Sequence, residues 1–94
     1  MEITLLVVEG CPHADLAEAR VRDALMRLAL DAAVRRRIVR NDAEAAASGM
    51  RGSPTILLDG ADLFATTGPP SMSCRLDVPP VDAMVDHLLH CIGG

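Results

Sequence analysis

Aromatic residues and lysine are almost absent from this 94-residue chain. It has one aromatic residue, Phe64, and its nine positive side chains are all arginine. Half of the residues are nevertheless hydrophobic, which predicts a folded chain with an aliphatic core rather than a disordered one. Because a chain this short buries only a modest core, we predict that residues 1–94 form a single domain.

Positive charge and long apolar segments are also scarce. The formal net charge is −4, which argues against general affinity for nucleic acid, since such binding needs a concentrated basic face. No apolar run reaches the ~20 residues that span a bilayer, and the N-terminus lacks a basic leader and a small-residue cleavage site. We therefore expect a cytoplasmic protein without a membrane partner, whose three cysteines are thiols rather than a disulfide framework.

The first quarter of the chain predicts a strand that runs directly into a helix. Residues Glu2 to Val8 form a continuous aliphatic run, which is typical of a strand buried on both faces of a sheet. Gly10-Cys11-Pro12 interrupts that run, and proline suits the first position of a helix. From Pro12 to about Leu30, apolar residues recur at helical spacing.

The next segment predicts an edge strand and a short helix. The strand is predicted over Ala33 to Val39, where Arg36 lies on the same face as Val34 and Ile38, which suits an edge position better than a central one. The basic run of Arg35, Arg36 and Arg37 with Arg40 is interpreted as solvated edge charge, and a local anion patch is the alternative. Asn41, followed three residues later by Glu44, predicts a capped helix that stops at Gly49.

The second half predicts a hairpin, a loop and a final helix. Residues Thr55 to Leu58 are predicted to be a strand, and Asp59-Gly60 is a strong hairpin signal whose antiparallel partner is Asp62 to Ala65. Thr66 to Pro80 contains four prolines and no clear periodicity, which predicts a long loop. Pro80 opens the last helix. The predicted fold is α/β, in βαβαββα order, with a four-stranded mixed sheet and helices on both faces.

Two short motifs connect this element order to a known family. Cys-Pro-His-Ala (residues 11–14) follows the first strand, and Gly-Ser-Pro-Thr (residues 52–55) precedes the third. In that order, and over nearly the whole chain, they resemble the thioredoxin superfamily, with small thioredoxin- or glutaredoxin-like proteins most similar. Some short proteins with a similar Ser-Cys-Arg segment after the hairpin carry an alkylmercury lyase label. The resemblance implies a thioredoxin-like fold in which Cys11 is the nucleophile and Pro54 is a cis-proline facing it across a shallow groove.

The chain departs from that family at the position of the second motif cysteine. Ala14 stands where a Cys-x-x-Cys protein keeps its resolving thiol, and Gly10 replaces an aromatic residue that commonly precedes the motif. The amide groups of a helix N-terminus favour a thiolate, and His13 would add positive charge when protonated. Cys11 is therefore predicted to be reactive, and a partly buried, inert cysteine is the alternative.

A single-thiol motif leaves three outcomes open for Cys11. It forms a mixed disulfide with glutathione or a protein, it pairs with Cys74 in the predicted loop, or it has no redox role. The predicted catalytic residues are thus Cys11 and Cys74. The predicted substrate-binding residues are Pro12, His13, Ser53 and Pro54, because the resemblance implies that they flank the nucleophile and hold an extended substrate.

The expected function is that of a thiol-based redox protein, a monothiol disulfide oxidoreductase if it turns over. A non-catalytic peptide- or protein-binding module and a soft-metal thiolate site for mercury or copper are the alternatives. No cofactor is expected, and the partner is a protein or a low-molecular-weight thiol or disulfide. We expect a monomer or weak dimer.

A second group of candidate metal ligands lies near the C-terminus. One helix face carries His87, His90 and Cys91. These residues are interpreted as part of a helix end rather than as a metal site.

Overall fold

The structure is a computed structural model that describes residues 1–64, 68–74 and 78–93. Its elements follow in the order β1 (Glu2–Val7), α1 (Ala14–Arg27), β2 (Ala33–Ile38), α2 (Asp42–Ser48), β3 (Arg51–Ser53), β4 (Thr55–Leu58), β5 (Ala61–Asp62), β6 (Ser71–Cys74) and α3 (Val81–Gly93). Within the described ranges, no helix has the length and apolar character needed to cross a membrane.

A mixed four-stranded sheet forms the centre of this α/β fold. Its strand order is β2-β1-β4-β5, with β1 parallel to β2 and antiparallel to β4. The aliphatic run of β1 forms an interior strand because it has a neighbour on each side, and Ile3, Leu5 and Leu6 are fully buried. β2 lies at the edge, as the position of Arg36 predicted. The mixed four-stranded sheet predicted from the sequence is confirmed. The predicted βαβαββα order is wrong, because it lacks β3 and β6, which pair with each other as a separate two-stranded sheet.

Two separate clusters of buried side chains cover the two faces of the sheet. Successive side chains of a strand point to opposite faces, so β1 contributes Leu5 to one cluster and Leu6 to the other. The first cluster joins β1 to α1 and α3. The second joins it to α2 through Ala45. The prediction of helices on both faces is therefore confirmed, and the turn between β1 and α1 lies at one end of this layered arrangement.

The helix that follows β1 begins later than predicted. The amide of Cys11 donates to the carbonyl of Val8 (3.2 Å), and the carbonyl of Cys11 accepts from the amide of Ala14 (3.3 Å). A helix starting at Pro12 would instead use the Cys11 carbonyl for the amide of residue 15. Residues 11–13 thus form a turn with His13 as the N-cap of α1. The predicted start at Pro12 is wrong by two residues.

The predicted loop from Thr66 to Pro80 contains a strand. β6 pairs in parallel with β3, with Cα partners Arg51 with Ser71 and Ser53 with Cys74, and an irregularity in between. The prediction of a loop throughout is therefore wrong, because pairing with β3 orders this polar segment. The predicted partner strand of the hairpin, Asp62 to Ala65, is wrong in its bounds, because β5 covers only Ala61–Asp62 and Leu63 and Phe64 form a turn. Residues 65–67 and 75–77 of these two predictions lie outside the described residues.

Candidate functional site

The candidate site is the turn between β1 and α1, where Cys11 lies half-buried with a free thiol. Gly10, immediately before it, has a φ of +73°, a conformation that glycine adopts without steric cost. Cys11 packs against the cluster shared by α1 and α3. It also lines a cavity of about 320 Å³, together with Val7, Val8, Glu9, Gly10, Ala14, Asp15, Arg36 and Ile38. The thiol therefore adjoins a space that can hold a small molecule.

Ser53 anchors the base of this turn. The amide of Val8 donates a 3.0 Å hydrogen bond to the Ser53 hydroxyl oxygen, and Val8 lies three residues before Cys11. Ser53 is fully buried, so its side chain supports the turn from the protein interior and is not exposed to a ligand. The peptide bond from Ser53 to Pro54 is cis, as predicted, and Pro54 is also buried. Direct contact of either residue with a substrate stays a prediction.

Thr55 holds the segment that carries Ser53, a role that was not predicted from the sequence. Its buried hydroxyl donates to the carbonyl of Gly52 (2.6 Å) and accepts from the amide of Arg51 (3.0 Å). These two bonds connect β3 to the first residue of β4 across Pro54. A threonine at the start of a buried strand is ordinarily a core residue, so its type alone carried no signal for this role.

Cys74 lies in the strand next to Ser53. The two residues are Cα partners in the parallel β3–β6 pair, and neighbouring strands lie roughly 4.8 Å apart. Ser53 therefore contacts the Cys11 turn through its hydroxyl and the Cys74 strand through its backbone pairing. The side chain of Cys74 lies outside the described part of the chain, so its distance from the Cys11 sulfur stays a prediction.

The other two predicted contacts flank the thiol on the turn itself. Pro12 is exposed, and His13 is half-buried at the N-cap of α1, where its side chain makes no capping hydrogen bond. Both residues therefore lie beside Cys11. Their contact with a substrate stays a prediction.

A charged cluster beside the cavity was not predicted. Arg36 of β2 donates from Nε to Glu18 of α1 (2.8 Å) and from Nη2 to Asp15 of α1. Glu18 also accepts from Arg22 (3.3 Å). The hydrogen bond from Arg36 is the main cause that lowers the pKa of Glu18, with partial burial opposing it and Arg22 adding to it. The hydrogen bond to Asp15 is the main cause that raises the pKa of Arg36.

The pairing of Arg36 with Glu18 predicts a pH-dependent contribution to stability. A carboxyl group whose pKa is lowered by folding stabilises the protein above its unfolded pKa, and that contribution is lost as pH falls through the folded pKa. Replacing Arg36 by Gln should therefore lower the urea midpoint at neutral pH. We expect the difference from the wild type to shrink as pH falls below the ordinary Glu value of 4.5. Urea unfolding between about pH 7 and 3 measures this, and a difference that stays constant over that range contradicts it.

The histidines of α3 form a different surface. The ring of His87 lies 4.4 Å from that of Phe64, centroid to centroid, and a cavity of about 340 Å³ is lined by Asp86, His87 and His90. Among the residues that the structure describes, no three His, Cys, Asp or Glu side chains are grouped closely enough to hold a metal ion. His87 is thus a packing partner of the single aromatic side chain.

The structure joins Ser53 both to the base of the Cys11 turn and to the strand that carries Cys74, and it places Arg36 and Asp15 at the cavity that Cys11 lines. It places His87 and His90 at another cavity. No family model, curated protein or solved structure matches the chain. The resemblance to the thioredoxin superfamily therefore stays a prediction based on the two motifs.

Proposed function

We propose that this protein is a thiol–disulfide exchange protein with a thioredoxin-like fold, in which Cys11 is the nucleophile and Cys74 supplies the second sulfur. The observation that carries the proposal is the double role of Ser53. Its hydroxyl accepts from Val8 at the base of the Cys11 turn, and its Cα is the register partner of Cys74. One buried residue thus ties the segments of both cysteines to one end of the sheet.

The Cys11 turn contains no second cysteine, so a resolving thiol must come from outside the motif. Ala14 stands three residues after Cys11, so the motif itself has no thiol with which to close a disulfide. Cys91 is exposed on α3, whereas Cys74 is on the strand paired with β3. A bridge between Cys11 and Cys74 requires their Cα atoms to lie within about 7 Å, and formation of the internal disulfide in solution tests that condition.

The reaction proceeds in two exchanges. The Cys11 thiolate attacks one sulfur of a substrate disulfide, forms a Cys11–substrate mixed disulfide and releases the other half as a thiolate. The Cys74 thiolate then attacks the Cys11 sulfur and releases the second half. The substrate disulfide gains two electrons and becomes two thiols after protonation. The protein loses the same two electrons in forming the Cys11–Cys74 disulfide.

The place of Cys11 on a cavity favours this chemistry over that of an inert core cysteine. A thiol must be partly accessible to attack a disulfide, and reactive cysteines lie in partly exposed surroundings. Cys11 is half-buried at the wall of a cavity of about 320 Å³, a volume at the lower end of small-molecule sites. A low-molecular-weight disulfide can therefore approach the sulfur along the cavity.

Trapping the intermediate tests the role of Cys74. In a Cys91→Ser background, the reduced protein is mixed with one equivalent of 2-hydroxyethyl disulfide and its intact mass is followed. We expect the adduct to give way to a species lighter than the reduced protein by two hydrogens, which is the internal disulfide. Adding Cys74→Ser should leave the adduct in place. An adduct that persists equally in both proteins would exclude Cys74 as the resolving thiol.

The two alternatives make different predictions for the same residues. A binding module without turnover predicts that partner binding is retained in a Cys11→Ser protein. A soft-metal site predicts that the reduced protein binds Hg²⁺ or Cu⁺ more tightly than a Cys74→Ala protein, since soft ions prefer thiolate ligands. The exchange reaction is preferred because Cys11 lines a cavity and Cys74 lies on the strand that pairs with the Ser53 segment.

A further inference from the structure

The cavity beside Cys11 is lined by one cation, Arg36, and by two carboxylates, Glu9 and Asp15, as well as by the nucleophile. Arg36, from the edge strand β2, and Asp15, from the first turn of α1, line the same cavity as the thiol. A guanidinium is planar and binds carboxylates through two parallel hydrogen bonds. The cavity therefore combines a sulfur that can attack with a group that can bind an anion.

The two carboxylates that hold Arg36 differ in how firmly they are placed. The Glu18 side chain is 27 % exposed and also bonded to Arg22. The Asp15 side chain is 93 % exposed, so solvent competes strongly for its contact with Arg36. The Glu18 contact orients the guanidinium. The Asp15 contact is the main cause of the raised pKa of Arg36, but it is made by a carboxylate that solvent surrounds, so it is the contact that an incoming anion can replace.

We propose that Arg36 is the anion-binding group of this cavity, and that the disulfides exchanged at Cys11 are small organic compounds with a carboxylate or sulfonate close to their sulfur. The anion takes the place of the Asp15 carboxylate on Arg36 and aligns the disulfide with Cys11. This inference rests on the proposed exchange function, because it concerns the substrate class of the same thiol.

The size of the cavity and the charge of the chain both restrict this substrate. A volume of about 320 Å³ accommodates a small molecule rather than a folded protein surface. With a net charge of −4, the protein as a whole repels anions at long range. Glu9 and Asp15 line the cavity as well, so binding of an anionic substrate there depends on Arg36, the one cation among the lining residues.

Charge-matched disulfides test the inference. The probes are 3,3′-dithiodipropionate (anionic), 2-hydroxyethyl disulfide (neutral) and cystamine (cationic), with the rate of adduct formation measured in a Cys91→Ser background. The readout is the ratio of the anionic rate to the neutral rate. We expect Arg36→Gln to lower this ratio roughly fivefold and Asp15→Asn to raise it. The matched control Arg37→Gln changes an exposed neighbour on β2 by the same charge, and we expect it to leave the ratio unchanged.

Each outcome decides one of the two proposals. An unchanged ratio in Arg36→Gln, or an equal decrease in Arg37→Gln, overturns the anion site while leaving the exchange chemistry intact. Failure of Cys11 to react with all three probes overturns the exchange function itself. A ratio that falls in Arg36→Gln but not in Arg37→Gln supports both proposals. The rate with the neutral probe measures the reactivity of the Cys11 thiol, and the ratio of the two rates measures anion binding in the cavity.

Discussion

Replacing Cys11 by serine is expected to lower the rate of adduct formation with 2-hydroxyethyl disulfide by at least about tenfold, although Cys74 and Cys91 remain. A serine hydroxyl stays un-ionised at neutral pH and does not attack a disulfide sulfur. The two side chains have nearly the same shape, so the half-buried position beside the core tolerates the change. Adduct formation followed by intact-mass spectrometry gives the rate.

Cys91→Ser is the matched control for this substitution. It also removes one thiol, but from an exposed position on α3, and we expect the rate of adduct formation at Cys11 to stay within experimental error of the wild type. Equal rates in the wild type and the Cys11→Ser protein would refute the proposed nucleophile. Retention of a partner-binding activity by Cys11→Ser, with no exchange in either protein, would instead support the binding-module alternative.

Replacing Ser53 by alanine is expected to lower the free energy of unfolding by about 1–3 kcal/mol. The substitution removes the acceptor of the 3.0 Å bond from the Val8 amide in a place where Ser53 is fully buried. The bond is partly buried, and a backbone amide that loses its acceptor in such a place costs free energy. Because that bond anchors the Cys11 turn, we also expect slower adduct formation under conditions where the protein remains folded.

Ser73→Ala provides the control for Ser53. Ser73 is an exposed residue of β6, and substitutions at such positions ordinarily change stability by less than about 0.5 kcal/mol. Urea unfolding of the two variants and the wild type gives the free energies. A Ser53→Ala protein that is as stable as Ser73→Ala, and equally fast in adduct formation, would contradict the positioning role of Ser53.

The predictable parts of this fold are those governed by local chemistry. The aliphatic run of β1 and the Asp59-Gly60 turn, with φ values of +48° and +90°, depend on neighbouring residues only. The same holds for α2, where the Asn41 side chain accepts from the amide of Glu44 at 2.8 Å and Gly49 ends the helix at a φ of +82°. Short-range patterns of this kind are readable without knowledge of the tertiary structure.

The parts that the sequence could not predict depend on contacts between distant segments. β6 has four residues, Ser-Met-Ser-Cys, and its partner β3 has only three, Arg-Gly-Ser, so both strands are too short for their sequence pattern to predict a strand. Pro12 suits either a first helical residue or the turn before a helix, and the hydrogen bond from Ala14 to Cys11 decides between them. Arg36 forms hydrogen bonds with Asp15 and Glu18 because the pairing of β2 with β1 places it next to the start of α1. Its charge was therefore interpreted as edge protection, with a local anion patch as the alternative.

The most direct test of the account is to identify which thiol reacts first. Reduced wild-type protein is mixed with less than one equivalent of 2-hydroxyethyl disulfide at neutral pH, quenched with acid, and the earliest adduct is mapped by peptide mass spectrometry. Although Cys91 is the more exposed of the two described thiols, we predict that the early adduct is on Cys11. An early adduct on Cys91, or one divided between the thiols according to exposure alone, would contradict the claim that the turn between β1 and α1 is a thiol-exchange site.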